Sequence, residues 1–264
     1  MTFCIDAGGA GRCASQCDFD LYPDAGCRDG YACRITPRFA ETGTQKATCV
    51  PDDTPNPDAT TACLKKLDDM GVIWAPWDYS TQYDGGLACT IDDPIRVASP
   101  INGVFYRYYS YDSPGTMLMS CDLAVALHQL GDILHRYDIT DVRHIGTFNC
   151  RKIAGTSKLS QHAHGLAIDI YGFEKANGDD YIVKRDWEQD TDNPQTPRGQ
   201  VLYEIAHAMH DEHVFNIVLT PNYNADHANH FHVDLTPGSN FLGERVWPDY
   251  YIGNDRWDLC TNVE

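Results

Sequence analysis

The chain has 264 residues and a formal net charge of −18, from 20 basic and 38 acidic side chains. That length can bury a real core in one or two domains. The charge argues against nucleic acid, whose phosphates it would repel, and against anchoring to anionic lipid by basic patches. Plain solubility is the simplest account of it, and the sequence has no run of about 18 apolar residues that could span a membrane.

The start, Met1 to Asp6, lacks the charged and apolar regions of an export signal. Either the protein is not exported, or this is a mature form with a new methionine. The cysteines favour the second option. Cys4, Cys13, Cys17, Cys27, Cys33 and Cys49 lie before residue 50, among glycines and few aliphatics. A stretch so poor in core-forming residues stays open unless stapled, and an even count fits a disulfide framework. Its pairing is open, and zinc is disfavoured because Cys-x-x-Cys knuckles are missing. Residues 1–50 therefore read as a small disulfide-rich module of a protein secreted into an oxidising extracellular or periplasmic space. Residues 51–61, rich in Pro and Asp, read as a semi-extended linker. Residues 62–264 form the main domain.

In that domain, Cys63 to Val72 predicts a short helix. Ile95 to Ser99 follows a break at Asp92-Asp93-Pro94, and Val104 to Tyr111 is a strand after an Asn102-Gly103 turn. From Met117 to Tyr137, apolar residues recur at three and four, as one buried helix stripe requires. Val142 to Phe148 and Gly165 to Tyr171 are strands, with a loop from Asn149 to Gln161 between them. Residues 172–198 are polar: a substrate-gripping loop or a plain solvated excursion. Gly199 to Glu212 is a helix, and Val214 to Thr220 and His230 to Leu235 complete the strands. This order predicts an α+β domain, with helices packed on a central, mainly antiparallel sheet.

Two stretches stand out. Ser160 to Asp169 sets His162 and Asp169 seven residues apart on a loop that enters a strand. His227 to Asp234 contains His230, His232 and Asp234. Leu166, Ile168 and Ile170 alternate with Ala167 and Asp169; Phe231, Val233 and Leu235 alternate with His230, His232 and Asp234. Each strand thus gives one face to a core and one to something else. If the two strands are neighbours, His162, Asp169 and His232 converge. Two imidazoles and a carboxylate suit Zn2+ with an open fourth position. Against this, a His-x-His pair alone is often an ordinary surface strand. His207, His210 and His213, spaced by three, form a decoy: they drift round their helix and lack the His-Glu-x-x-His order.

The pattern Ser160-x-His162-x-x-Gly165-x-Ala167-x-Asp169 resembles the signature of zinc peptidases that cut D-alanyl bonds in peptidoglycan: D-Ala-D-Ala carboxypeptidases, lysostaphin-type and murein endopeptidases. Within that group the chain is most similar to the extensin-like C-terminal domain. Asn149-Cys150-Arg151, Leu159 to Gly165, Leu219 to Asn224 and His227-x-x-His230-Phe231-His232-x-Asp234 all resemble it, over roughly residues 62 to 236. The resemblance implies a secreted zinc metallopeptidase acting on peptidoglycan or another cell-wall polymer. It also implies metal ligands His162, Asp169 and His232, and Arg151 as a substrate-holding arginine. Relatives use the first His of His-x-His, or a Glu three residues before the last His, as base. Here that Glu position is Asn229, which points to His230 as base with His227 as helper. Asp234 reads as a partner for a ligand histidine, and Ser160 as support for the His162 loop. The resemblance also implies two disulfides among Cys63, Cys89, Cys121 and Cys150, with the partner of Cys150 and the state of Cys260 open. The alternative function is a zinc-stabilised wall-binding or adhesion module without turnover.

Overall fold

The computed structural model describes residues 2–6, 11–18, 26–28, 30–40, 44–51, 58–78, 82–84 and 86–243. Strands β1 (Thr2–Asp6) and β2 (Gly11–Ser15) form one antiparallel hairpin, and β3 (Tyr31–Pro37) and β4 (Gln45–Pro51) a second. Cys17–Cys33 and Cys27–Cys49 staple the module. Cys4 and Cys13 sit directly opposite each other across β1 and β2 with their thiols free and exposed. The module does not stand apart. Its four bridged cysteines share an apolar cluster with Ala75 and Ala98 of the following domain, and Arg34 meets Asp68 at 3.1 Å. Residues 52–57, the heart of the expected linker, lie outside the described residues, as does Cys260.

Helix α1 (Ala62–Asp69) starts where the Thr61 hydroxyl accepts from Leu64 N. Then come β5 (Trp74–Pro76), β6 (Gln82–Asp84), β7 (Leu87–Cys89), β8 (Pro94–Val97), β9 (Phe105–Tyr108) and β10 (Met117–Ser120). They are followed by α2 (Cys121–His135), β11 (Ile139–Gly146), β12 (Ala167–Lys175), β13 (Asp180–Ile182), α3 (Val183–Asp186) and α4 (Pro197–Asp211). Strands β14 (Ile217–Leu219), β15 (Phe231–Asp234) and β16 (Phe241–Gly243) close the described chain. The main sheet runs β16-β14-β15-β12-β11-β9, with β13 also on β12; a smaller sheet runs β10-β8-β5. In the main sheet only β9/β11 and β14/β16 are parallel. Helices α2 and α4 lie over it, and Leu123, Leu127, Leu130, Ile205 and Met209 pack with Ile168, Ile170, Phe173, Phe231 and Val233. Each such side chain contributes about 1.5–3 kcal/mol by leaving water. The fold is the expected α+β arrangement behind a disulfide-rich module.

Two segments differ from the sequence reading. The expected helix from Met117 is a strand up to Ser120, whose hydroxyl caps α2 by accepting from Leu123 N. Met117 and Met119 are buried on one side of β10, so the apolar run serves a period of two before the helical stripe begins. The polar stretch 172–198 is not a plain excursion. It extends β12 and supplies β13 and α3, and Val183 and Trp187 are buried. Asp180 takes Arg185 at 2.8 Å and Arg198 at 3.0 Å, so its charges are used internally.

Candidate metal centre

Strands β12 and β15 pair directly, and Asp169 lies opposite His232. His162 arrives from a short 3-10 turn, Gln161–His164, whose N-terminus is capped by the Ser160 hydroxyl accepting from His162 N. Ser160 therefore supports the turn, as expected. Gly165 then takes a left-handed φ of 63°, and a Cβ there would lie 2.8 Å from Ser120 N; only glycine turns the chain so tightly into β12. The turn is stitched to the preceding loop by Asn149 N to His162 O at 3.1 Å and Ser160 N to Arg151 O at 3.0 Å. The Cys89–Cys150 disulfide packs against Ala163 beneath it. Cys63–Cys121 ties α1 to the start of α2, completing the two expected bridges and giving Cys150 its partner.

The result is a compact set of ligand-type atoms. His162 Nε2 is 3.1 Å from Asp169 Oδ1 and 3.2 Å from His232 Nδ1, which is 2.9 Å from the same Asp169 oxygen. The outer ring nitrogens are occupied. His162 Nδ1 donates to the Thr147 carbonyl at 2.6 Å, and His232 Nε2 to Asp234 Oδ2 at 3.0 Å. Those oxygens only accept, so each neutral ring carries its hydrogen on the outer nitrogen and turns a lone pair inward. Three lone-pair atoms facing one another repel unless a cation stands among them. A proton on His232 is the alternative. Burial opposes it, but hydrogen bonds to Asp169 and Asp234 raise that imidazole to about 9. Burial would raise the Asp169 carboxyl, yet the close ring nitrogens of His162 and His232, when they carry the hydrogen, hold it well below the usual range. Nitrogen and oxygen ligands at about 2.0–2.1 Å from a tetrahedral ion lie roughly 3.3 Å apart, close to this spacing. The residues fit such an ion. Cys17, Cys27 and Cys49 also cluster, but each is tied up in a disulfide and cannot ligate.

Around the three lie the other expected residues. His230 donates from Nδ1 to Asn229 Oδ1 at 2.9 Å, leaving Nε2 3.5 Å from Asp169 Oδ1. Burial lowers its pKa although the Asp169 charge opposes it. His227, on a 3-10 turn capped by Asn224, has its ring 5.3 Å from His230 and 5.7 Å from His232. Burial and those neighbours push it down to about 4. Arg151 is exposed and makes no ion pair among the described residues. His207, His210 and His213 take no part: the first two sit near Asp211, and His213 lies beyond α4 with φ 56°.

Some contributors had no sequence signal. Thr147 acts through its backbone carbonyl, which any residue offers. His144, buried on β11, feels Asp169 but belongs to no spaced motif. Asn224 holds His227 Nδ1 at 2.6 Å; its place in the Leu219 to Asn224 match was the one available pointer.

Fold and site together define an α+β protein with a candidate two-histidine, one-carboxylate metal centre on its central sheet. The family described as Extensin-like protein C-terminus matches residues 61–241, and the chain belongs to it. No curated protein and no solved structure matches the chain.

Proposed function

We propose that the chain is a secreted zinc metallopeptidase that hydrolyses peptide bonds in the cross-links or stems of peptidoglycan. The observation that carries this is the convergence of three inward lone pairs, on His162, Asp169 and His232, whose outer nitrogens are pinned by Thr147 and Asp234. The resemblance of the sequence motifs to those of zinc peptidases supports the reaction class. Four disulfides are consistent with an extracellular setting, and no helix is long and apolar enough to cross a membrane among the described residues.

Zinc in this set would supply an acidified water and a Lewis acid for the scissile carbonyl. The protein's own residues do the rest. His162, Asp169 and His232 would hold the ion. His230, neutral at pH 7 with Nε2 toward the site, takes the proton from the attacking water and returns it to the leaving amine. His227, also neutral, lies next to it and helps orient it. Arg151, without an ion pair among the described residues and always charged, steadies the carbonyl oxygen as it turns negative, or a substrate carboxylate.

The test is purified protein with muropeptides. New amine ends should appear, with about one zinc per chain, and 1,10-phenanthroline should stop the reaction. Turnover that persists with zinc shown absent would refute the reading. Zinc and wall binding without turnover would leave the non-catalytic wall-binding module as the function.

A further inference from the structure

Among the described residues, three exposed aromatic side chains stand together. Tyr108, Tyr109 and Tyr111 are 37%, 47% and 66% exposed. Their rings touch: Tyr108 lies 5.1 Å from Tyr109 and 5.7 Å from Tyr111. Beside them is a cleft of about 370 Å³, lined by Tyr108, Tyr111, Asp112, Ser113, Thr116 and His144. A row of large apolar rings in water is unfavourable unless something covers it.

The turn that bears them is held rigid. Tyr111 N donates to Tyr108 O at 2.8 Å. Arg107 donates to Asp112 O at 2.8 Å while gripping Asp141 at 2.6 Å. Arg143 donates to Tyr111 O at 2.8 Å while gripping Glu174 at 3.0 Å. Two guanidiniums fixed from behind thus hold the backbone that displays the tyrosines, so little ordering is left for a ligand to impose. The row also lies beside the strand that carries Asp169. Tyr109 lies 5.4 Å from Tyr171, which follows Asp169 by two residues on β12.

The lining selects the ligand. It has no Lys or Arg to hold an anion and no aliphatic side chain to hold a lipid chain; its one charged group is Asp112. What remains is aromatic faces rimmed by the hydroxyls of Ser113, Thr116 and the tyrosines. A sugar ring is the complement: its C–H face meets the negative face of a tyrosine ring, and its hydroxyls meet the rim. We propose that Tyr108, Tyr109, Tyr111 and Tyr171, with the cleft at Thr116 and His144, form a binding site for a neutral saccharide chain running beside the strand that carries Asp169. That the chain is the glycan of peptidoglycan rests on the function proposed above; the binding itself does not.

The experiment titrates the full chain with tetra-N-acetylchitotetraose and, separately, cellotetraose by calorimetry. Binding of at least one is expected, and Tyr109→Ala and Tyr111→Ala should each weaken it about tenfold, as loss of an aromatic anchor does. Tyr111→Phe, which keeps the ring, should retain most of it. Unchanged melting in these variants shows that the fold is intact. Asp169→Ala should lose hydrolysis but bind the sugar as wild type does. Failure of both sugars to bind at millimolar concentration would overturn the proposal. So would binding indifferent to the tyrosines, or a sugar-free stem peptide occupying the same rings. Tyrosine-dependent sugar binding in a protein without peptidase activity would uphold the site and remove the peptidase reading alone.

Discussion

Replacing Asp234 by Asn changes one heavy atom, an oxygen to a nitrogen, and should cripple the candidate metal centre. Both Asp234 oxygens accept: Oδ1 from Thr236 N at 2.8 Å and Oδ2 from His232 Nε2 at 3.0 Å. An asparagine offers one oxygen and one NH2. If its oxygen stays on Thr236, its NH2 faces Nε2–H, and His232 must move its proton to Nδ1. That proton then points at Asp169 Oδ1, 2.9 Å away, into the space a cation needs. If the amide turns over instead, Thr236 N loses its acceptor and the end of β15 loosens. Loss of such an orienting partner costs about 10–100-fold in metal affinity, or roughly 1.4–2.7 kcal/mol. The measurement is competition for zinc against a chromophoric chelator, with the thermal melt of the metal-free protein beside it. Wild-type affinity in a folded Asp234→Asn protein would refute the argument that the outer hydrogen bond sets the inward lone pair.

Other outcomes separate ligands from helpers. Asp169→Ala should lose zinc and activity together, whereas His230→Ala should keep about one zinc per chain and lose roughly 10²–10⁴ in rate. Zinc lost from His230→Ala would make His230 a ligand. Arg151→Ala should keep its metal and lose about 10² or more in rate, and full activity would remove its role. Burial pushes His144 down to about 4 although Asp169 opposes it, so the folded protein keeps it neutral while the unfolded chain protonates it near pH 6.5. Stability from this group is complete above pH 6.5 and falls as pH drops toward 4, by about 3 kcal/mol. Denaturant melts of His144→Gln should show a shallower acid decline, and an equal decline would refute it. Eleven cysteines and four disulfides leave only Cys4, Cys13 and Cys260 to react with a thiol reagent in the unreduced, denatured protein; any further thiol would contradict the bridged pairing.

The site was legible where side chains follow a period. Ile168 and Ile170 against Asp169, and Phe231 and Val233 against His232, declare which face of each strand is core, and the pairing of β12 with β15 does the rest. His162 was legible from its motif, Ser160 to Gly165. What stayed hidden acts through the backbone or through charge. The Thr147 carbonyl leaves no trace in residue type. Arg185, Arg198, Asp180 and Asp186 look like a solvated surface until their mutual pairing is seen. Met117 to Ser120 reads as helix from sequence because four apolar or small residues next to a strong stripe satisfy either period. The tyrosine row looked like ordinary strand sequence, since β9 ends at Tyr108 and the display of Tyr109 and Tyr111 depends on arginines elsewhere in the chain.

The Cys89–Cys150 bridge has a consequence in time as well as in space. Cys150 precedes Arg151, and the bridge packs against Ala163, the neighbour of His162. The loop that carries Arg151 and the turn that carries His162 therefore rest on one covalent bond that forms only after thiols are oxidised. While the chain is still among reducing thiols, that support is missing and the two halves of the site are free to part. Assembly of the His162, Asp169 and His232 cluster is thus tied to oxidising conditions, and under the function proposed above the chain gains its hydrolytic site only where thiols oxidise.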